Sequence, residues 1–326
     1  MAFANPNYSD ILATTIESRS GVIADNVTDN NAYLTRLRSR GREKPFSGGS
    51  IILQELSFQD NATAMYYSGS EALNISPADV ISAAQFNIKQ AAVAVTITGL
   101  EELQNAGEEQ IIDLLDARMD VAESSMENLI SSGIYSDGTG TSGKQITGLQ
   151  AAVIASPTSG TYGGIDRATW SFWQNQTYDF STDAGASASS SNIQAGFNTL
   201  YARTKRGRDV VDLILVDNHF WGFYLASVQN IQRIANDTEM GKLGFQSLKY
   251  MNADVVLDGG IGGDIPAKTA YFINSRFMFY RPHRSRNFVP IGGDRFSTNQ
   301  DATVRLIGWA GNMTSSGVQF QGIMTE

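Results

Sequence analysis

Acidic residues Glu109, Asp113, Asp116, Asp120, Glu123 and Glu127 recur at spacings of four and three, which draws one negative stripe along a single helix. Ile111, Leu115, Met119, Ala122, Met126 and Leu129 keep the same period and give that helix an apolar face. A long two-sided helix follows. Like charges at i, i+4 each cost roughly 0.2–0.5 kcal/mol, so the stripe weakens an isolated helix and makes sense where cations lie against it, supplied by another chain.

The 326 residues suffice for a full core and for two or three domains. Cysteine is absent, which excludes disulfides, thiolate metal sites and cysteine nucleophiles together. His219 and His283 are the only histidines, too few for a histidine-rich zinc centre. No cofactor is expected. The opening Met1-Ala-Phe-Ala-Asn-Pro lacks a basic leader and an apolar core, and no run approaches 18 apolar residues, so a soluble protein made in the cytoplasm is expected, without a membrane partner. The sequons at Asn61 and Asn312 then read as chance. A net charge of -9 argues against wrapping nucleic acid, although basic residues cluster in Arg36 to Lys44, Arg203 to Arg208 and Arg281 to Arg286. Each cluster reads as solvated surface or as the cationic side of a subunit contact.

Along the chain, residues 8 to 18 read as a short helix capped by Ser9. From Asn26 through Arg42 the composition is polar without a continuous apolar face, the pattern of an arm laid across something else. Phe46 to Ala72 reads as a long, half-polar hairpin, with two extended runs separated by Gln59-Asp-Asn-Ala. Ala91 to Ile97 is a strand leading into the two-sided helix. Residues 132 to 188 are dense in Gly, Ser and Thr. Gly138 to Lys144 has phosphate-cradle spacing, but Gln145 replaces the magnesium-holding hydroxyl and the run follows a helix, so a plain loop is expected. Trp170, Phe172 and Trp173 read as anchors of a long ordered loop. Asn192 to Lys205 as helix, Val210 to Val216 as buried strand and Asn218 to Ile234 as helix make an alternating α/β module. Strands are expected at Leu248 to Leu257, Thr269 to Phe279 and Thr303 to Trp309, the last two returning the chain to the first domain.

Two constellations offer chemistry. Asp212, Asp217 and His219 gather around a strand end, where α/β enzymes keep reactive groups, but no nucleophile motif accompanies them. Asp254, Asp258 and Asp264 flank a glycine turn, but their spacing fails the EF-hand pattern and favours a surface turn.

Taken together, the arm, hairpin, strand entering a long helix, glycine-rich interlude and α/β module resemble the tailed-bacteriophage major capsid proteins of the HK97-like fold. Glu101 to Ile130, Gly148 to Val153, Thr161-Tyr-Gly-Gly-Ile-Asp-Arg-Ala-Thr-Trp-Ser-Phe-Trp and Asp212 to Asp217 carry the resemblance, which spans nearly the whole chain. It implies an α+β subunit with an N-terminal arm over 1–45, an extended hairpin (the E-loop) over 46–75 and a peripheral domain over 76–189 with its spine helix at about 101–130. An axial domain over 190–268 and a return to the peripheral domain over 269–326 complete it. The implied function is non-enzymatic: pentamers and hexamers closing into an icosahedral shell around double-stranded DNA, assembled in the host cytoplasm. A portal and a separate scaffolding protein are the implied partners, with a decoration protein as a further one. The nearest lysines, Lys44 and Lys89, fall outside the implied E-loop, which argues against covalent locking through it.

Arg36, Arg38, Arg40 and Arg42, on one side of an extended arm, are expected to approach the acidic stripe of a neighbouring spine. Two other readings stay open: an encapsulin-type shell enclosing enzymes, and a cytoplasmic hydrolase using the Asp212 to His219 region, which predicts turnover lost in His219→Ala.

Overall fold

A computed structural model describes residues 31–76, 79–100, 108–229, 247–258, 264–292, 295–296 and 302–326, with backbone alone for 108–117, 295–296 and 302–303. The Ser9-capped helix, residues 101–107 of the expected spine and the glycines between Asp258 and Asp264 lie outside the described residues.

The first described element corrects the arm reading. Ala32–Ser39 is a helix, α1, whose cap Asn31 accepts from the backbone of Tyr33 (3.0 Å) and Leu34 (3.1 Å). Ala32, Tyr33, Leu34 and Leu37 are buried in the main core, so this stretch belongs to the body of the fold. The four arginines therefore do not share one side of an extended chain. Arg36 and Arg40, one helical turn apart, point together, and Arg38 lies on another face.

Strands β1 (Ile51–Ser57) and β2 (Ile81–Asn87) pair antiparallel from Ile51 with Asn87 to Ser57 with Ile81, forming a separate two-stranded ribbon. The return strand is therefore residues 81–87, not the tyrosine-bearing run, and residues 58–76 and 79–80 lie in the loop beyond it. Strand β3 (Lys89–Thr98) follows and pairs over its whole length with β14 (Ala302–Ser315).

The long helix exists as α2, Glu108–Tyr135. Met119, Ala122, Met126, Ile130 and Ile134 are buried against the body. The inward row ends on Ile130 and Ile134 instead of Leu129, which is half exposed, because 3.6 residues per turn carry the row one position onward. Gly138 to Lys144, expected as a plain loop, contains one irregular helical turn, Gly140–Gly143, with Thr141 and Ser142 at positive φ. Short strands β4 (Thr161–Tyr162) and β5 (Ile165–Asp166) form a tight hairpin.

Next come β6 (Gln176–Asp179), helix α3 (Ile193–Thr204), β7 (Leu213–Val216) and helix α4 (Asn218–Gln229). The expected strand at 248–257 is two strands, β8 (Ser247–Tyr250) and β9 (Ala253–Leu257), folded back at Met251, which takes φ +51° without a glycine to announce it. The expected strand at 269–279 also splits. Its first half, β10 (Thr269–Ile273), stays beside β7, and its second belongs to β11 (Met278–Pro282) in the other sheet. Short β12 (Val289–Pro290) and β13 (Arg295–Phe296), then β14 and β15 (Gly322–Thr325), end the order.

Two sheets result. One is six-stranded, in order β6-β15-β10-β7-β9-β8, mixing parallel and antiparallel pairs. Residues 176–179, 269–273 and 322–325 thus join the sheet of the axial module, whose expected limits were 190–268. Along β7 the side chains alternate: Ile214 and Val216 pack with Phe197, Phe220 and Phe272 in the core that includes α3 and α4, while Leu213 and Leu215 face the core shared with α1 and α2. Burial on both faces explains why that strand reads as an unbroken apolar run. The other sheet is antiparallel, with β14 between β3 and the β11, β12 and β13 strands. Its buried Asn312 donates to the backbone of Asn87 (2.8 Å), a structural use that fits the chance reading of that sequon.

Candidate assembly surfaces

Arg36 is deeply placed for a charge, with its side chain 2% exposed. Its Nη2 donates to the Asp212 carbonyl (2.7 Å), its Nε lies 3.2 Å from Asp212 Oδ2, and its Nη1 lies 3.6 Å from Asp254 Oδ2. Asp212 also accepts from the backbone (2.8 Å) and hydroxyl (2.6 Å) of Ser275, and Arg40 approaches it at 3.7 Å. Lys249 reaches Asp254 at 3.5 Å. Arg36 and Arg40 thus stitch α1 to the six-stranded sheet of their own chain. Arg38 pairs with Glu43 (3.5 Å), and Arg42 lies over the Phe279 ring.

On α2, Asp120 is exposed and Glu123 and Glu127 are half buried, a quarter turn from the Met119 to Ile130 row. The side chains of Glu109, Asp113 and Asp116 lie outside the described residues. The opposite flank of the helix carries a feature that reading of one stripe missed. Val121 and Leu129 are both at least half exposed, and Val121 and Ser125 face Val93 and Thr96 of β3 across an open trench of about 470 Å³. Their spacing of four, 121, 125, 129, was the available signal. Arg118, whose guanidinium donates to the Thr96 carbonyl, lines the same trench.

The ribbon ends in the least covered apolar side chains described. Tyr66 is fully exposed and Ile75 is 89% exposed, with Tyr67, Leu73 and Ile81 more than half exposed as well. Patches of this kind on monomers mark contact sites. The sequence showed the tyrosines but assigned them to a strand.

Neither chemical constellation is arranged for catalysis or for a metal. Asp212 is taken up by α1 and Ser275. Asp217 caps α4 by accepting from the Phe220 amide (3.0 Å) and accepts from the Lys268 amide (2.6 Å). His219 Nε2 lies 2.7 Å from Glu326 Oε2. Asp254 is buried beneath Arg36, not on a surface turn. Burial pushes the Asp258 carboxyl up to about 6, with Tyr135, which donates to it, pulling down and Asp264 pushing up further. Among the described residues no group of three or more His, Asp or Glu is placed to hold a metal ion, and no helix is long and apolar enough to cross a membrane.

No protein-family model and no curated protein matches the chain. Solved structures do. The cyanophage A-1(L) capsid asymmetric unit superposes with a TM-score of 0.66 at 14% identity, covering 87% of this chain and 90% of that one. The capsid of the native GTA particle gives 0.59 at 11% identity over 89% of both chains. This chain has the HK97-like capsid fold. A Mycobacterium phage Bobi chain agrees, at 0.52 and 12% identity over 90% of both. We use the names of the expected subunit plan for these parts: spine helix for α2, E-loop for the β1–β2 ribbon with its loop, and axial sheet for the six-stranded sheet.

Proposed function

We propose that this chain is a shell-forming major capsid protein, whose copies gather as pentamers and hexamers and close into an icosahedral virion shell around double-stranded DNA. The observation that carries the reading is the E-loop: an apolar tip that the described residues leave bare, on a fold found in phage capsids. Burying an aliphatic or aromatic side chain is worth about 1.5–3 kcal/mol, so four or five such residues per copy, repeated around a closed shell, supply a substantial drive to assemble. The same logic gives the open trench beside the spine a neighbour to cover it. Acidic Asp120, Glu123 and Glu127, continued by Glu109, Asp113 and Asp116, would meet cationic side chains of another copy, with Arg38, Arg40 and Arg42 as candidates. Arg36, held inside its own chain, is no longer among them. A separate scaffolding protein, a portal and a decoration protein are the expected partners, assembly takes place in the host cytoplasm, and no catalytic turnover is expected.

Negative-stain microscopy with light scattering, on the protein expressed alone and with its neighbouring genes, tests this directly. Closed shells tens of nanometres across, releasing double-stranded DNA when opened, are the expected result (an order-of-magnitude size for a closed assembly of repeated subunits). Shells filled with enzyme instead would establish the encapsulin reading, and uniform monomers in both preparations would overturn shell formation altogether.

A further inference from the structure

The run Thr161 to Trp173 bears much of the family resemblance, yet nothing in shell formation so far explains it. In the structure it lies against the E-loop ribbon and touches β2 and Phe58, the residue that follows β1. At β2, the Gly163 carbonyl accepts from the Gln85 amide (2.8 Å). Gly163 itself takes φ +59°, and a Cβ built on it would come 2.9 Å from the Phe86 ring and 3.0 Å from the Ala84 methyl. Glycine is therefore required twice, by conformation and by approach. The Phe86 ring stands edge-on to Tyr162 (5.1 Å between centroids), and Tyr162 stacks on buried Trp173, whose Nε1 donates to the Tyr162 carbonyl (2.9 Å).

Where β1 leaves the ribbon, contact is of another kind. Phe58 meets Trp170 edge-on (5.6 Å) and Phe172 at a tilt (6.1 Å), and Trp170 is 44% exposed. The run is stiffened from within: Arg167 Nη2 donates to the carbonyls of Ala151 and Ala152 (both 2.7 Å), and Asp166 accepts from the Thr169 hydroxyl (2.6 Å).

We infer that the Thr161–Trp173 run is a positioning cradle that aims the E-loop, with a fixed grip on β2 at Gly163 and Phe86 and a looser aromatic grip on the exit of β1 at Phe58 and Trp170. A two-stranded ribbon alone is too weakly stabilised to hold a direction. The cradle supplies that direction, and with it the place on a neighbour where the bare tip arrives. The inference rests on the shell reading only for why direction matters, because the aim itself is a property of each chain.

The absence of cysteine makes the test clean. Spin labels on Ser68→Cys in the E-loop and Ser124→Cys on the spine, in chains diluted with unlabelled protein, report the E-loop direction by pulsed dipolar spectroscopy whether or not shells form. Trp170→Ala is expected to broaden the distance distribution and Trp170→Phe to restore it, with the melting temperature of the body nearly unchanged. Gly163→Ala is expected to shift the mean distance by displacing β2. An unchanged distribution in Trp170→Ala, with the body folded, would overturn the inference. So would broadening that Trp170→Phe fails to reverse. Should Gly163→Ala not fold, Phe58→Leu replaces it with the broadening expected of Trp170→Ala.

Discussion

The axial sheet and the E-loop are both built of β-strands, yet they obey opposite rules. Every strand of the sheet's centre is apolar on two faces and covered on both, by α3 and α4 on one side and by the α1 and α2 core on the other. The ribbon has only two strands, and the loop beyond it holds the most exposed large apolar side chains described, Tyr66 and Ile75. The first is covered within its own chain, and in the proposed shell the second is completed by a neighbouring copy. A single chain thus separates the residues that make it stable from those that make it associate.

Substitutions in the sheet core should break this contrast most visibly. Phe272→Ala, in β10 between the ring of Phe197 and its neighbours, should cost about 3–5 kcal/mol, read as a fall in the denaturant midpoint of unassembled chain. Arg36→Ala should cost a similar amount, about 3–5 kcal/mol, by leaving Asp254 and Asp212 without their shared cation; a loss below about 1 kcal/mol would mean that the stitch contributes little. Asp258 supplies a pH signature. Its folded pKa of about 6 lies above the unfolded value, so the folded state takes up the proton first and stability rises as pH falls through about 6 toward about 4. Asp258→Asn should abolish that component, at most about 3 kcal/mol, in melts compared across that range. Weaker still, Glu123→Lys with Glu127→Lys should shift each subunit contact by about 0.2–1 kcal/mol, seen as a salt-dependent change in the critical concentration for assembly. Tyr66→Ser should leave chain stability within about 0.5 kcal/mol and yet lower particle yield. Normal yield in that variant would end the case for the E-loop tip as an association surface.

What the sequence made legible followed from periodicity. The spine, β7 and the two helices around it announced themselves because one kind of residue recurred at one interval. The misreadings share a physical cause: a residue acting against its type. Arginine at position 36 made α1 look like a polar arm, whereas in the fold that arginine is buried beside two carboxylates. Met251 turned the chain at positive φ where no glycine marked a turn. Tyr66 and Tyr67 have strand-forming side chains, yet the ribbon returns through Ile81 to Asn87 instead. The cradle was visible as a motif, but its use required the glycine's neighbours across the chain, and no spacing in one segment carries that information.

Asp212, holding Arg36, Arg40 and Ser275 at once, ties three separate parts of the chain at the seam between the axial sheet and the rest. Bending at that seam would strain these attachments together. In the proposed shell, copies meeting at different angles would keep this seam unchanged, and the exposed loop beyond the cradled ribbon is the part of the chain left to adapt.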